Sequence, residues 1–147
     1  MHCSVKWQGD PHVEGKKSGM AFVIKTGSGH AINVDTSPEL GGDNLGARPM
    51  ELMLAGAGGC TAIDVVMILK KGRQAITGCE LSLQAERADS DPKVFTKIHF
   101  HYRLTGSKLN AGVVERAIAL SKEKYCSASI MLGKTAAITH DFEIIEA

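Results

Sequence analysis

The feature that most constrains this chain is a long apolar segment that opens on Arg48-Pro49 and contains three glycines, Gly56, Gly58 and Gly59. Proline suits the first turn of a helix, because its missing N–H would have no partner there. Each glycine weakens a helix by about 1 kcal/mol relative to alanine, so we expect another element to approach closely at that point. Apolar residues then cover nearly all faces from 62 to 69, which predicts a buried central helix.

Strand and turn patterns lie on both sides of this helix. We expect a hairpin turn at Thr26-Gly27-Ser28-Gly29. A second helix is expected over Ala111–Tyr125, with Asn110 as its N-cap. The expected strands are Val5–Trp7, Met20–Lys25, Ala31–Asp35, Glu80–Arg87, Val94–Leu104 and a closing strand at about 136–145. This order predicts an α+β fold, with antiparallel sheets around the central helix, in a single domain over residues 1–147.

The charge pattern and the apolar runs exclude several classes of partner. The formal net charge is +1 and no basic stripe is present, so we expect no nucleic-acid partner. No run of about 18 uncharged apolar residues occurs, so we expect no membrane partner. The first residues lack the order of a secretory signal, which predicts a cytoplasmic protein.

Four cysteines are present, at Cys3, Cys60, Cys79 and Cys126. They form no C-x-x-C pair and no local Cys/His cluster, so we expect no metal site, and we expect no cofactor. Free cysteines are often inert and buried. Cys60, however, follows two glycines at what the pattern indicates is the head of the buried stretch, and Cys126 follows the second predicted helix. A helix N-terminus favours a thiolate.

Asp64 lies one helical turn after Cys60 and therefore shares its face. It can accept the thiol proton or fix a partner, or it can be a buried acid paired with a cation or a backbone donor.

Two long motifs carry a family resemblance. The stretch Arg48-Pro-Met-Glu-Leu-Met-Leu-Ala-Gly-Ala-Gly-Gly-Cys60 resembles the central helix of the OsmC/Ohr (organic hydroperoxide resistance) family. The stretch Glu115-Arg-Ala-Ile-Ala-Leu-Ser-Lys-Glu-Lys-Tyr-Cys126 resembles the segment that holds the second cysteine of that family. Within the family, the sequence is most similar to the YhfA-like branch.

The resemblance implies an intertwined homodimer that reduces small organic hydroperoxides. It assigns Cys60 as the peroxidatic thiol and Cys126 as the resolving thiol, with a dithiol reductant to restore the pair. The cycle follows the general oxidation chemistry of cysteine.

One departure concerns the activation of Cys60. Characterised peroxidases of the family have a glutamate directly after the motif proline, paired with an arginine that steadies the thiolate. Here Met50 takes that position, and Glu51 is rotated from it by about 100° on a helix. The supporting candidates are therefore Glu51, Asp64 and the cations Lys16, Lys17 and Arg48.

Two functions remain open. The retained cysteine pair favours a thiol peroxidase, whereas Met50 favours a non-enzymatic small-molecule binder or redox sensor on the same scaffold. A thiol hydrolase or transferase is a more distant third, because no Cys-His-acid set is present.

Overall fold

The computed structural model describes residues 1–9 and 19–147. The chain divides into two compact units, Met1–Met53 and Leu54–Ala147. Helix α1, Pro49–Lys71, begins in the first unit and continues in the second.

The first unit contains a three-stranded antiparallel sheet in the order β1-β2-β3. Its strands are β1 Cys3–Trp7, β2 Phe22–Thr26 and β3 Ala31–Val34. The predicted hairpin turn is confirmed: the Thr26 N–H donates to the His30 carbonyl at 2.9 Å. Gly29 adopts a φ of +89° in this turn, a conformation that residues with a side chain rarely tolerate.

A buried carboxylate organises the loop between β3 and α1. Asp35 accepts backbone N–H bonds from Thr36 at 2.8 Å, Asp43 at 3.0 Å and Leu45 at 3.1 Å. These bonds satisfy the carboxylate in its buried position and fold the loop, which includes a 3₁₀ turn at Pro38–Leu40, back on itself.

The second unit contains a three-stranded sheet in the order β4-β5-β6. Strands β4 (Ala75–Arg87) and β5 (Phe95–Ser107) pair antiparallel. Strand β6 (Ala137–Glu146) runs parallel to β5, so the expectation of purely antiparallel sheets was wrong for this unit. A parallel neighbour needs a long crossover, and the helical segments between residues 111 and 132 provide it.

The second predicted helix is shorter than expected. Helix α2 is Ala111–Leu120, and the side chain of Asn110 caps it by accepting the Val113 N–H at 3.1 Å, as predicted. A π-helical turn, Ser121–Tyr125, follows it. A short third helix, α3 (Ser127–Leu132), was not expected. Cys126 lies at the junction between the turn and α3.

The core of the second unit lies between the inner face of the sheet and the helices. The alternation predicted for β5 is confirmed, since its buried residues alternate with His99, His101 and Arg103. The largest fully buried apolar side chains are Val65, Leu69, Ile98, Leu104, Val114 and Ile118.

Within one chain, helix α1 is buried on one side only, which differs from the expectation of burial on nearly all faces. Its buried residues recur about every four positions and form one stripe: Ala57, Gly58, Thr61, Val65 and Leu69. Ile63 is 63% exposed and Met67 is 49% exposed. Elements of the described chain therefore cover one side of the helix and leave an apolar side uncovered. By length and composition alone α1 also passes as a membrane span, but core helices of soluble proteins pass the same test.

Only one of the three glycines expected to allow a close approach has such a contact. A Cβ on Gly58 would lie 2.9 Å from the Cδ1 atom of Leu83 in β4. A Cβ on Gly56 or Gly59 would meet nothing within 4 Å among the described residues. The close packing of α1 on the sheet is thus centred on Gly58.

Candidate redox site

The fold brings together three of the predicted site residues. Cys60 and Asp64 are one turn apart on α1, and Cys126 lies at the start of α3. The two sulfur atoms and a carboxylate oxygen of Asp64 all lie within 4.8 Å of one another. Both cysteines are free thiols. Residues from separate helices therefore form one cluster that contains two thiols and one acid.

Cys126 is the fully buried member of the cluster, with 0% of its surface exposed. Its sulfur accepts two bonds from Ser129, from the hydroxyl at 3.1 Å and from the backbone N–H at 3.4 Å. Its thiol donates to the Ala57 carbonyl over 3.9 Å. Burial raises the pKa of the Cys126 thiol and the adjacent Cys60 adds to the rise, whereas the two Ser129 donors oppose it.

Cys60 is half-buried, so it is the more accessible of the two thiols. It does not lie at a helix head, because α1 begins at Pro49 and Cys60 falls in its interior. The expectation that a helix N-terminus stabilises its thiolate was therefore wrong: the backbone N–H groups of an interior residue are bonded within the helix. It is Cys126 that caps a helix and accepts a bond from a free N–H.

Asp64 is held by a chain of buried hydroxyl groups. The Ser121 hydroxyl donates to Asp64 Oδ2 at 3.0 Å. Thr61 Oγ1 lies 2.8 Å from the Ser121 hydroxyl and 2.8 Å from the Tyr102 hydroxyl. A carboxylate only accepts hydrogen bonds, so Ser121 donates to Asp64. The other two bonds are then satisfied when Thr61 donates to Ser121 and Tyr102 donates to Thr61. Among the described residues, the partner of Asp64 is thus a hydroxyl group, where a cation or a backbone donor had been considered.

Tyr102 closes the inner end of this chain on strand β5. Its hydroxyl is buried, and burial raises the pKa of Tyr102 to about 12. The phenol therefore stays protonated at physiological pH and acts as the terminal donor of the chain. The result is a fixed orientation for the carboxyl group that lies beside the two sulfurs.

Glu51 and Arg48 make other contacts. Glu51 Oε2 accepts the backbone N–H of Arg48 at 2.9 Å, which is the helix-capping role of an acid three residues after the N-cap. The Arg48 guanidinium donates to the Gly46 carbonyl at 3.2 Å and to Asn44 Oδ1 at 3.0 Å. Both side chains stabilise the start of α1. Lys16 and Lys17 lie outside the described residues.

Sequence reasoning missed the residues that support the cluster: Thr61, Tyr102, Ser121 and Ser129. One signal was available, because Thr61, Val65 and Leu69 share a helical face and the hydroxyl therefore faces the core. The role of Ser121 depends on the π-turn, in which the Cys126 N–H donates to the Ser121 carbonyl at 2.8 Å. Such turns are frequent at functional sites but have no clear sequence signature.

Comparison with known proteins identifies relatives of the same fold. The family model described as OsmC-like protein matches residues 41–141. The chain is 44% identical to Protein YhfA of Escherichia coli strain K12 over 147 residues, which is 100% of both chains. A crystal structure of a hypothetical protein from Aquifex aeolicus VF5 has a TM-score of 0.82 at 27% identity, covering 99% of this chain and 96% of that one.

The same fold is found in the organic hydroperoxide resistance protein OsmC of Legionella pneumophila, with a TM-score of 0.66 at 16% identity. The match covers 97% of both chains. The family model spans more than half of this chain. The identity to YhfA is 44% over the full length of both chains. The chain therefore belongs to the OsmC-like family.

Proposed function

We propose that the protein reduces small organic hydroperoxides through a two-cysteine cycle. The observation that carries the proposal is the proximity of the Cys60 and Cys126 sulfurs, within 4.8 Å, with the first accessible and the second buried. The family membership and the Legionella relative, an organic hydroperoxide resistance protein, support the same reaction class.

In the first step the Cys60 thiolate attacks the peroxide O–O bond. The sulfur takes the distal oxygen and becomes sulfenic acid, while the other oxygen leaves as an alkoxide and takes a proton to give the alcohol. Cys60 has this role because a substrate can reach it. Asp64 is the candidate acceptor of the thiol proton, because one of its carboxylate oxygens lies within 4.8 Å of the Cys60 sulfur.

In the second step Cys126 attacks the sulfenic sulfur, which forms the disulfide and releases water. A dithiol reductant then reduces this disulfide by thiol–disulfide exchange, which restores both thiols and oxidises the reductant to its own disulfide. The cycle consumes two electrons from the dithiol for each hydroperoxide and needs no cofactor. Such a reductant is available in the cytoplasm, where we place the protein.

A peroxide-consumption assay with cumene hydroperoxide and a dithiol tests this function. We expect turnover by the wild type and loss of at least a hundredfold in Cys60→Ser. Cys79→Ser is the matched control, because Cys79 is another half-buried thiol of the same unit, and it should keep full activity. Equal rates for the wild type and Cys60→Ser would rule out the peroxidase.

A redox sensor is the second candidate, and a specific observation favours it. Met50 replaces the glutamate of the family's peroxidases, and Glu51 is engaged with the backbone of Arg48. A sensor would form the Cys60–Cys126 disulfide once and return to the reduced state slowly. The assay separates the two, since a sensor consumes one equivalent of hydroperoxide and then stops even with excess dithiol.

We also propose that the protein is a homodimer. Ile63 and Met67 project from α1 with 63% and 49% of their surface exposed, on the helix that carries Cys60. Burying such a side chain stabilises an assembly by about 1.5–3 kcal/mol. A second copy of the chain that covers this face would therefore stabilise a dimer. In sedimentation equilibrium we expect twice the mass of one chain. Ile63→Asp should weaken association at least tenfold, whereas Arg116→Asp, at an exposed position on α2, should not.

A further inference from the structure

We infer that Cys60, Asp64 and Cys126 form a binding site for a thiophilic divalent cation, with Zn²⁺ as the biological candidate. Among the described residues, this is the group of three Cys, His, Asp or Glu side chains whose donor atoms all lie within 4.8 Å of one another. The linear spacing of the cysteines predicted no such site, because zinc sites usually show local ligand pairs. Here the fold joins ligands from distant parts of the chain.

The distances are close to those of a tetrahedral site. With Zn–S bonds of about 2.3 Å and Zn–O bonds of about 2.1 Å, ligand atoms lie about 3.8 Å apart for two sulfurs and about 3.5 Å apart for sulfur and oxygen. The three donor atoms here lie within 4.8 Å of one another, so contraction by about an ångström completes the geometry. Three protein ligands leave the fourth position for water.

The neighbouring hydrogen bonds hold the three side chains in place and leave donor atoms for a metal. Ser121 donates to Oδ2 of Asp64, which leaves Oδ1 for the metal. The Ser129 hydroxyl and N–H both donate to the Cys126 sulfur, and a metal-bound thiolate still accepts these bonds. Donors that hold a ligand from behind are typical of protein metal sites. The Thr61 and Tyr102 hydroxyls extend this support into the core.

The ligand set selects the class of metal. Thiolates favour Zn²⁺ and Cd²⁺, whereas Mg²⁺ and Ca²⁺ prefer sites made wholly of oxygen. Binding needs both sulfurs as thiolates, so each thiol that is protonated at the start releases its proton. Two thiolates and one carboxylate carry a formal charge of −3, which a divalent cation reduces to −1.

The site and the disulfide exclude each other, because both use the same two sulfurs. Oxidation by one hydroperoxide removes two electrons from the thiolates and leaves the cation unchanged, so the cation is released. The bound cation in turn should slow oxidation. This inference goes beyond the proposed function and does not depend on it, since the reduced trio can bind a cation whether or not the protein turns over peroxide.

The test is a titration of the reduced protein with Cd²⁺, followed by the ultraviolet charge-transfer absorption of thiolate–Cd²⁺ bonds, with Zn²⁺ added as competitor. We expect one equivalent to bind. Cys60→Ser and Cys126→Ser should each weaken binding at least a hundredfold. Asp64→Asn should weaken it at least tenfold and keep the absorption, because both thiolates remain. Cys79→Ser is the control and should bind as the wild type does.

A second measurement guards against variants that fail to fold. Zn²⁺ should raise the melting temperature of the reduced wild type and of Cys79→Ser, and should not change that of the oxidised wild type. The inference is overturned if the reduced wild type shows no charge-transfer absorption, or if Cys60→Ser binds with the affinity of the wild type. Binding of one Cd²⁺ by a protein that fails the peroxide assay would support the metal site and reject the peroxidase.

Discussion

Cys126 and Cys79 lie in the same unit, and burial raises the pKa of both thiols. Their surroundings differ. Cys126 receives two bonds from Ser129 and has a second thiol and the Asp64 carboxylate within 4.8 Å. Cys79 lies in strand β4, opposite Leu104 of β5, and burial alone accounts for its raised pKa.

The comparison shows that burial alone does not mark Cys126 as the candidate redox thiol. Burial disfavours a thiolate in both places. What sets Cys126 apart is a partner thiol within reach and donors that can stabilise a negative sulfur. The first three predictions below test this difference, and the fourth concerns an ion pair on the outer face of the sheet that contains Cys79.

The largest expected effect is the selectivity of disulfide formation. After one equivalent of cumene hydroperoxide, peptide mapping should recover the Cys60–Cys126 disulfide as the main product, with Cys79 and Cys3 still reduced. A disulfide needs the sulfurs to close to about 2.05 Å, and the Cys60 and Cys126 sulfurs are already within 4.8 Å. A cross-link to Cys79 or Cys3 as the main product would contradict the assignment of Cys60 and Cys126 as the reactive pair.

The next effect concerns the donors around Cys126. Ser129→Ala removes the hydroxyl that donates to the sulfur at 3.1 Å. A hydrogen bond to a charged group contributes about 1.5–3 kcal/mol, so disulfide closure at neutral pH should slow about tenfold. Ser127→Ala, at an exposed position of the same short helix, is the matched control.

The pH profile gives an independent readout of the same variant. Burial raises the pKa of Cys126, so little thiolate is present at neutral pH and the closure rate should increase with pH until that raised pKa is passed. Losing a donor to the thiolate raises the pKa further, so the profile of Ser129→Ala should move to higher pH. Unchanged profiles would mean that Ser129 does not act on the thiolate.

The fold was predictable from sequence where a local pattern is strong. The alternation along β5, the Asn110 cap and the proline start of α1 each follow from short-range chemistry, and each was confirmed. The parallel pairing of β6 was not predictable in this way, because it depends on how the crossover between β5 and β6 folds.

The candidate site was less predictable than the fold. The two motifs pointed to Cys60 and Cys126, and helical spacing linked Asp64 to Cys60. The hydroxyl chain through Ser121 arises from a π-turn and from contacts between residues far apart in sequence. Local propensity carries no information on such contacts, so their contribution to the free energy of unfolding must be measured.

The third prediction concerns the contribution of this hydroxyl chain to stability. Thr61→Val removes the hydroxyl between Tyr102 and Ser121, and leaves the buried Tyr102 hydroxyl without this partner. An unsatisfied buried hydroxyl costs about 1–3 kcal/mol, so urea unfolding should show this loss of stability. Thr77→Val is the matched control: it lies two residues from Cys79, is exposed, and makes one bond to the Thr105 carbonyl at 3.3 Å. Equal losses in the two variants would show that the hydroxyl chain has no special role.

The smallest expected effect lies on the outer face of the same sheet, where His101 Nδ1 lies 2.6 Å from Asp141 Oδ1. The hydrogen bond to Asp141 raises the pKa of His101, and the same bond lowers the pKa of Asp141. The groups that face this pair are His99 and Glu143. The contribution of His101 to stability is complete below its unfolded pKa of about 6.5 and is lost as pH rises through the raised value.

The contribution of Asp141 has the opposite sign: it is complete above the unfolded pKa of about 3.9 and is lost as pH falls through the lowered value. His101→Gln should therefore reduce the melting temperature most between about pH 4 and 6.5, and less at higher pH. The difference should be small and should shrink with added salt, because the pair is exposed. Lys97→Gln, which breaks the exposed 3.0 Å pair with Glu86 on the same sheet, is the control. Its effect should stay constant from about pH 6 to 9. A parallel, pH-independent loss in both variants would show that protonation of His101 does not contribute to stability.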